Sequence, residues 1–170
     1  MEYRYQAAFA SGELIAFSMV AVVVFAIFNF REKARCFAGD VGSISIAFII
    51  IFLVGSLMLA TQNLVYIVLL GVYGVDSVLT IVHRLLRREN IFEAHRSHLY
   101  QVMANEGGLS HITVSCLYMA LQAILCVQVV WITEWPVSFQ AFYVISVLLS
   151  LAVGYVFVKW LFLKSDRRLN

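Results

Sequence analysis

Charged residues are scarce in this chain. Only 13% of its 170 residues are Asp, Glu, Lys or Arg, whereas 62% are hydrophobic and the mean hydropathy is +0.89. A soluble globular domain carries about 25% charged residues, so this composition excludes that class. The formal net charge of +2 gives no indication of a nucleic-acid partner. The chain is therefore predicted to be an integral membrane protein.

Proline, cysteine and internal repeats are also scarce or missing. The single proline, Pro136, lies between two long apolar runs and predicts a tight turn there. The three cysteines include no Cys-x-x-Cys pair. Cys116 and Cys126 are expected to be small reduced thiols within a helix. No repeat or low-complexity tract marks a second domain, which predicts a single membrane domain over residues 1–170.

Uncharged runs predict five transmembrane helices. A span requires about 20 predominantly apolar residues. The uncharged run from 41 to 75 is too long for one span and contains a polar break at 61–63, so it is divided into two helices and Asp76 falls inside the membrane. The expected fold is an all-α polytopic helical bundle. Its helices are predicted at 14–30, 43–60, 64–83, 111–133 and 137–158.

The cations lie at alternate ends of these helices. Eleven of the twelve Lys and Arg residues follow the first, third or fifth helix, and the turns at 61–63 and 134–136 contain none. Because Lys and Arg near span ends are retained in the cytoplasm, the N-terminus is predicted outside and the C-terminus inside. Lys159 is expected to extend its ammonium toward the inner headgroups.

A glycine- and aspartate-containing segment precedes the second helix, with the sequence Phe37-Ala38-Gly39-Asp40-Val41-Gly42-Ser43. Its glycines permit tight turns and close approach of a ligand, and Ser43 is a candidate N-cap for a helix end that faces an anion. Asp40 is suited to hold Mg²⁺, since this ion favours one or two carboxylates together with substrate phosphates. The simpler alternative is an ordinary Gly/Asp turn with a serine cap.

A second polar segment, residues 84–110, contains two histidines and an arginine in close succession. On a helix His95 and His98 share a face, and Arg96 adds a guanidinium suited to bidentate phosphate contact. These residues are predicted to handle phosphate. Two alternatives stay open. One is a zinc site, for which no further clustered ligand is present, and the other is a basic interfacial helix attracted to anionic lipid.

Asp76 lies inside the third predicted helix, eight residues before Arg84. An ionisable group at that depth is costly unless it faces a polar cavity or a partner, so a functional role is the default interpretation. Helical phase places Asp76, Thr80 and either His83 or Arg84 on one stripe. The structural alternative is that Asp76 pairs with an interior cation.

Taken in order, these segments resemble the polyprenyl-phosphate N-acetylhexosamine-1-phosphate transferases, the membrane family that includes the phospho-N-acetylmuramoyl-pentapeptide transferases. Residues 29–43 are similar to the family's Asn-aromatic, basic, Phe-Met-Gly-Asp-x-Gly-Ser loop, with Ala38 in place of Met. Residues 76–84 are similar to its Asp-Thr helix that ends in a basic pair. Residues 95–101 are similar to its Asp-Arg-x-His-x-His-His loop, with His95 in place of Asp and Tyr100-Gln101 in place of the last two histidines.

This resemblance implies transfer of an N-acetylhexosamine 1-phosphate from a UDP-sugar to undecaprenyl phosphate or a similar lipid, with Mg²⁺ and release of UMP. The variant ending of the third segment favours envelope polysaccharide, such as lipopolysaccharide, over peptidoglycan as the product. The implied location is the bacterial inner membrane, with the active site on the cytoplasmic face. Asp40 matches the catalytic, metal-associated aspartate, and His98 matches a catalytic histidine that contacts substrate phosphates. The implied substrate-binding residues are Asn29, Gly39, Ser43, Asp76, His95 and Arg96.

The family also has an Asp-Asp pair and an Asp-Gly motif on earlier loops, and this sequence contains neither. With half of the family's helices, the chain is expected to be the C-terminal portion of such an enzyme, acting with a separate N-terminal half or as a homodimer. Two other functions stay open. One is a small ion-coupled transporter that uses Asp76 as its coupling carboxylate, and the other is a non-catalytic half of a split transferase.

Overall fold

The chain is described here by a computed structural model that covers residues 9–31, 33–93 and 96–169. Within these ranges all the regular structure is helical, as the hydropathy pattern predicts. A 3₁₀ segment, Leu64–Leu70, leads directly into the third α-helix. The α-helices are α1 (Gly12–Asn29), α2 (Gly39–Thr61), α3 (Gly71–Leu86), α4 (Leu99–Asn105), α5 (His111–Ile132) and α6 (Val137–Leu169).

Five segments within the described ranges are long and apolar enough to cross a membrane. They are Gly12–Asn29, Gly39–Thr61, Leu64–Leu86, His111–Ile132 and Val137–Lys164. Their number and order confirm the predicted set of spans, and the protein is a multi-pass membrane protein. The orientation of these helices across the bilayer stays a prediction from the distribution of cations.

Short polar side chains fix the ends of several helices. Ser11 caps α1 by accepting the backbone N–H of Leu14 at 3.2 Å, and Ser110 caps α5 by accepting that of Thr113 at 3.1 Å. Between α5 and α6, the buried side chain of Gln140 donates to the carbonyl oxygens of Thr133 at 3.2 Å and Trp135 at 2.7 Å. The predicted turn at Pro136 is therefore stabilised by hydrogen bonds from a side chain in the first turn of α6.

The chain divides between Ile67 and Val68 into two compact units. The first contains α1 and α2. In the second, α6 packs on α3 and α4, and α5 packs on the same two helices. A Cβ added to Gly71 would lie 3.2 Å from the side chain of Leu125, so glycine at this position permits close packing of α3 against α5.

Two predictions about helix ends are wrong. The second helix begins at Gly39, with Ala38 as its N-cap, so Ser43 lies inside the helix and does not cap it. Gly39 has a φ of +62°, a left-handed conformation that suits glycine and lets the helix begin earlier than predicted. The last helix continues past Lys159 to Leu169. The Lys159 side chain is 8% exposed and bonds within the protein instead of extending to the headgroups.

Candidate functional site

Asp76, on α3, holds the beginning of the short helix α4. Its side chain is 2% exposed. Oδ1 accepts a hydrogen bond from the backbone N–H of Leu99 at 2.9 Å, and Oδ2 accepts one from that of Tyr100 at 3.5 Å. His98 Nδ1 lies 3.4 Å from Oδ1. A carboxylate from a different helix therefore caps two of the N–H groups that the beginning of α4 leaves without helical partners.

Two hydroxyl groups complete the surroundings of the Asp76 carboxylate. Tyr118 on α5 donates its OH to Oδ2 at 2.9 Å, and Thr80, one turn along α3, donates Oγ1–H to Oδ1 at 3.2 Å. Both oxygens are thus hydrogen-bonded to neutral donors from three helices. Such bonds stabilise a buried carboxylate that would otherwise be costly in an apolar environment.

A chain of polar groups connects this carboxylate to Lys159 on α6. Thr80 Oγ1 lies 2.9 Å from the hydroxyl of Tyr155, and Lys159 Nζ donates to that hydroxyl at 2.6 Å. The same ammonium donates to the carbonyl oxygen of Ser97 at 2.7 Å. Buried side chains therefore bond to the backbone on both sides of His98. Lys159 bonds to the residue that precedes it, and Asp76 bonds to the two residues that follow it.

Arg84 anchors the other end of the polar segment. Its side chain is 5% exposed, and Nε lies 3.2 Å from Glu89 Oε2. The guanidinium also donates to the carbonyl oxygens of Asn90, Ile91 and Glu93. Arg84, and not His83, lies on the buried stripe with Asp76 and Thr80, which confirms the predicted phase of this helix.

His98 does not lie on a helix, so the predicted helical face shared with His95 is wrong at this end. His98 is the N-cap of α4 and has extended backbone angles, φ −64° and ψ 148°. Its ring stacks on that of Tyr100, with centroids 5.5 Å apart. Burial raises the pKa of Tyr100, so its hydroxyl stays neutral at physiological pH. Arg96 is exposed, and His95 lies outside the described residues.

The other predicted site residues lie in the first unit. Asp40 is exposed in the first turn of α2, where the helix dipole favours a negative charge. Ser43 is also exposed one turn further along. Asn29, at the end of α1, donates its side-chain N–H to the carbonyl oxygen of Cys36 at 2.8 Å. This bond brings the backbone at Cys36, three residues before Gly39, against the end of α1.

The described residues contain no group of three His, Cys, Asp or Glu side chains that would hold a metal ion. A zinc site on His98 accordingly finds no complete ligand set in this part of the chain. Mg²⁺ has a different requirement, since it is commonly bound by one or two carboxylates, water and substrate phosphates. The exposed carboxylate of Asp40 fits that arrangement.

Comparisons of this chain with protein-family models, curated proteins and solved structures found no match. The family resemblance therefore rests on the three polar segments alone. Of the predicted site residues, the structure brings Asp76 and His98 together in the second unit.

Sequence reasoning did not predict that three further side chains belong to the hydrogen-bonded network around Asp76. They are Tyr118, Tyr155 and Lys159. A usable signal was present, because Asp76 and Lys159 are opposite charges that both lie in long apolar helices.

Proposed function

We propose that this chain is part of a membrane transferase that moves an N-acetylhexosamine 1-phosphate from a UDP-sugar to a polyprenyl phosphate. The observation that carries this proposal is the way Arg96 and His98 are held. Arg96 is exposed, and the backbone beside both residues is bonded to buried side chains of α3 and α6. Phosphoryl transfer depends mainly on positioned groups that neutralise charge, and a fixed basic segment suits that task.

The reaction requires one bond to form and one to break. An oxygen of the polyprenyl phosphate attacks the phosphorus that carries the sugar. The bond from this phosphorus to the bridging oxygen breaks, and UMP leaves with the electron pair. Negative charge that moves onto the leaving phosphate is the charge that the protein must neutralise.

The family resemblance assigns this work to three residues. Arg96 binds a pair of phosphate oxygens through its planar fork. By the resemblance, His98 contacts substrate phosphate, and its ring is held with Nδ1 3.4 Å from Asp76 Oδ1. Asp40 holds Mg²⁺, which when bound neutralises charge on the phosphate oxygens. By resemblance alone, Asn29, Gly39, Ser43 and His95 contribute to substrate binding.

The environment of Asp76 favours the transferase over an ion-coupled carrier. A coupling carboxylate must exchange an ion or proton with a pathway through the membrane. Asp76 is 2% exposed, and both of its oxygens accept hydrogen bonds from the protein. A carrier also gives no role to the Gly39-Asp40 segment. A location at the bacterial inner membrane, with the site on its cytoplasmic face, is part of the same proposal.

The test uses membranes that contain this chain together with a second chain supplying the Asp-Asp loop. UDP-N-acetylglucosamine labelled in the uridine and undecaprenyl phosphate are added, and release of labelled UMP is measured with and without Mg²⁺. We expect release that requires both chains, the lipid and the ion. The protein would be assigned to the carriers if no UMP is released, whether this chain is alone or with the second chain, and if solute uptake is observed and is lost in Asp76→Asn.

The same assay separates the catalytic reading from a non-catalytic subunit. We expect Asp40→Asn in this chain to abolish most UMP release when the partner chain is unchanged. A subunit that only completes the fold of its partner would tolerate that substitution, because Asp40 is exposed and its carboxylate is not needed for packing. A matched substitution at another exposed position of the same helix, Ser45→Ala, controls for insertion and expression.

A further inference from the structure

We infer that Asp76 and Lys159 are positioning residues that fix residues 97–100, and with them Arg96 and His98, without contacting substrate themselves. This inference rests on the proposed transferase only for its catalytic consequence. Its structural content is independent of the reaction. It also gives Asp76 a role different from the substrate contact that the family resemblance implies.

The first step of the argument is the direction of the bonds. Lys159 donates to the carbonyl oxygen of Ser97 at 2.7 Å, and Asp76 accepts from the N–H groups of Leu99 and Tyr100. The cation thus binds a backbone acceptor and the anion binds backbone donors. Together they restrain the peptide groups on both sides of His98, which side-chain contacts alone would leave free to rotate.

The second step is the link between the two anchors. Thr80 bonds to Asp76 at 3.2 Å, Thr80 and Tyr155 lie 2.9 Å apart, and Tyr155 accepts from Lys159 at 2.6 Å. This chain of hydroxyls crosses from α3 to α6. Because these bonds connect α3 to α6, they restrain the distance between Asp76 and Lys159. The position of residues 97–100, which bond to both, is restrained in turn.

The third step concerns accessibility. Asp76 is 2% exposed and Lys159 is 8% exposed, so neither offers a surface to a substrate phosphate. Burying a charged group costs free energy unless its hydrogen bonds are satisfied. Here both charged groups form hydrogen bonds to the backbone of the same short segment, residues 97–100. That arrangement is expected if their task is to place the segment.

The experiment measures the position of the segment directly. In a variant without native cysteines, spin labels are attached at Arg96→Cys and at Val130→Cys, which is exposed on α5 of the same unit. We expect a narrow distance distribution in the parent and a clearly broader one in Lys159→Met. Lys164→Met removes an exposed lysine five residues further along α6 and is expected to leave the distribution narrow.

Tyr155→Phe provides a second variant in case Lys159→Met fails to fold. It deletes the hydroxyl that joins Thr80 to Lys159 and keeps the ring, so we expect intermediate broadening. A distribution that stays narrow in Tyr155→Phe, and in Lys159→Met where it folds, overturns the inference. Equal broadening in Lys164→Met overturns it too.

UMP release then tests the catalytic consequence in unlabelled protein. A displacement of about 1 Å at a catalytic group lowers turnover about 10²-fold, so we expect kcat to fall by that order in Lys159→Met while KM for the UDP-sugar changes little. Unchanged kcat despite a broadened distribution would overturn the positioning role. If no chain releases UMP but the distribution broadens, the proposed function fails and the anchoring stands.

Discussion

The helices α2 and α3 each contain a single acidic residue, yet the two carboxylates occupy opposite environments. Asp40 is exposed in the first turn of α2, where the helix dipole favours its charge. Asp76 is buried within α3 and accepts hydrogen bonds from two backbone N–H groups and two hydroxyls. A carboxylate whose oxygens are occupied by protein donors orients the protein, whereas an exposed one is available to a cation and its ligand.

Asp40→Asn tests whether the exposed carboxylate acts in the reaction, and it has the largest expected effect. If this carboxylate is the principal electrostatic group of the site, turnover of the assembled transferase is expected to fall about 10²–10³-fold. The melting temperature in detergent is expected to change little, because the side chain is exposed and a charge at a helix N-terminus contributes at most about 1 kcal/mol. Near-normal turnover would falsify the assignment of Asp40.

Asp76→Ala tests the other half of the comparison. The substitution leaves the N–H of Leu99 and the hydroxyl of Tyr118 without their acceptor, and each buried unsatisfied group costs about 1–3 kcal/mol. We expect the free energy of unfolding in mixed micelles to fall by about 3 kcal/mol. Ser77→Ala, at the next position of α3, is the control and is expected to have little effect. Equal losses in the two variants would mean that the hydrogen bonds of Asp76 are not responsible.

Arg96 allows the geometry of the proposed phosphate contact to be tested. Arg96→Ala is expected to lower kcat/KM roughly 10–100-fold, which corresponds to the loss of a charged hydrogen bond of about 1.5–3 kcal/mol. Arg96→Lys is expected to restore only part of this loss, since an ammonium cannot form a bidentate contact.

The matched control for Arg96 is Arg88→Ala, which removes another exposed arginine from the same polar segment. It is expected to leave kcat/KM nearly unchanged. Full rescue by lysine at position 96, or an equal loss at Arg88, would indicate a general effect of positive charge and not a specific contact.

The smallest expected effect is conformational and concerns the beginning of α2. Gly39→Ala places a side chain at φ +62°, and this conformation costs an L-residue about 1–2 kcal/mol. Gly55→Ala, in the interior of the same helix with no atom within 4 Å of the added Cβ, is expected to be neutral or slightly stabilising. Thermal unfolding in detergent compares the two variants. Equal shifts would mean that the conformation of Gly39 does not determine where the helix begins.

Hydropathy predicted the five spans, because the length of an apolar run directly reflects the thickness of the bilayer. Helical phase likewise predicted that Asp76 and Thr80 share a face with either His83 or Arg84, and in the structure the third residue is Arg84. Both predictions depend on neighbouring residues only. The position of His98 did not follow, since α4 has 7 residues and its beginning is capped from another helix, 23 residues earlier in the chain.

The error over Lys159 has the same origin. Its partner, the carbonyl of Ser97, is 62 residues away along the chain, and a lysine near the end of an apolar run looks the same whether it extends to headgroups or turns inward. The beginning of α2 was missed for a different reason. A glycine in the sequence does not reveal which of its allowed φ values it adopts.

The bonds that Gln140 makes across the turn between α5 and α6 bear on how the protein enters its membrane. The acceptors, Thr133 and Trp135, are 7 and 5 residues away, so the turn can close as soon as this stretch of chain is synthesised. Carbonyl oxygens that are already bonded carry a smaller dehydration cost into lipid. We therefore expect α5 and α6 to insert into the membrane together as a hairpin, since the bonds that close the turn between them involve no other helix.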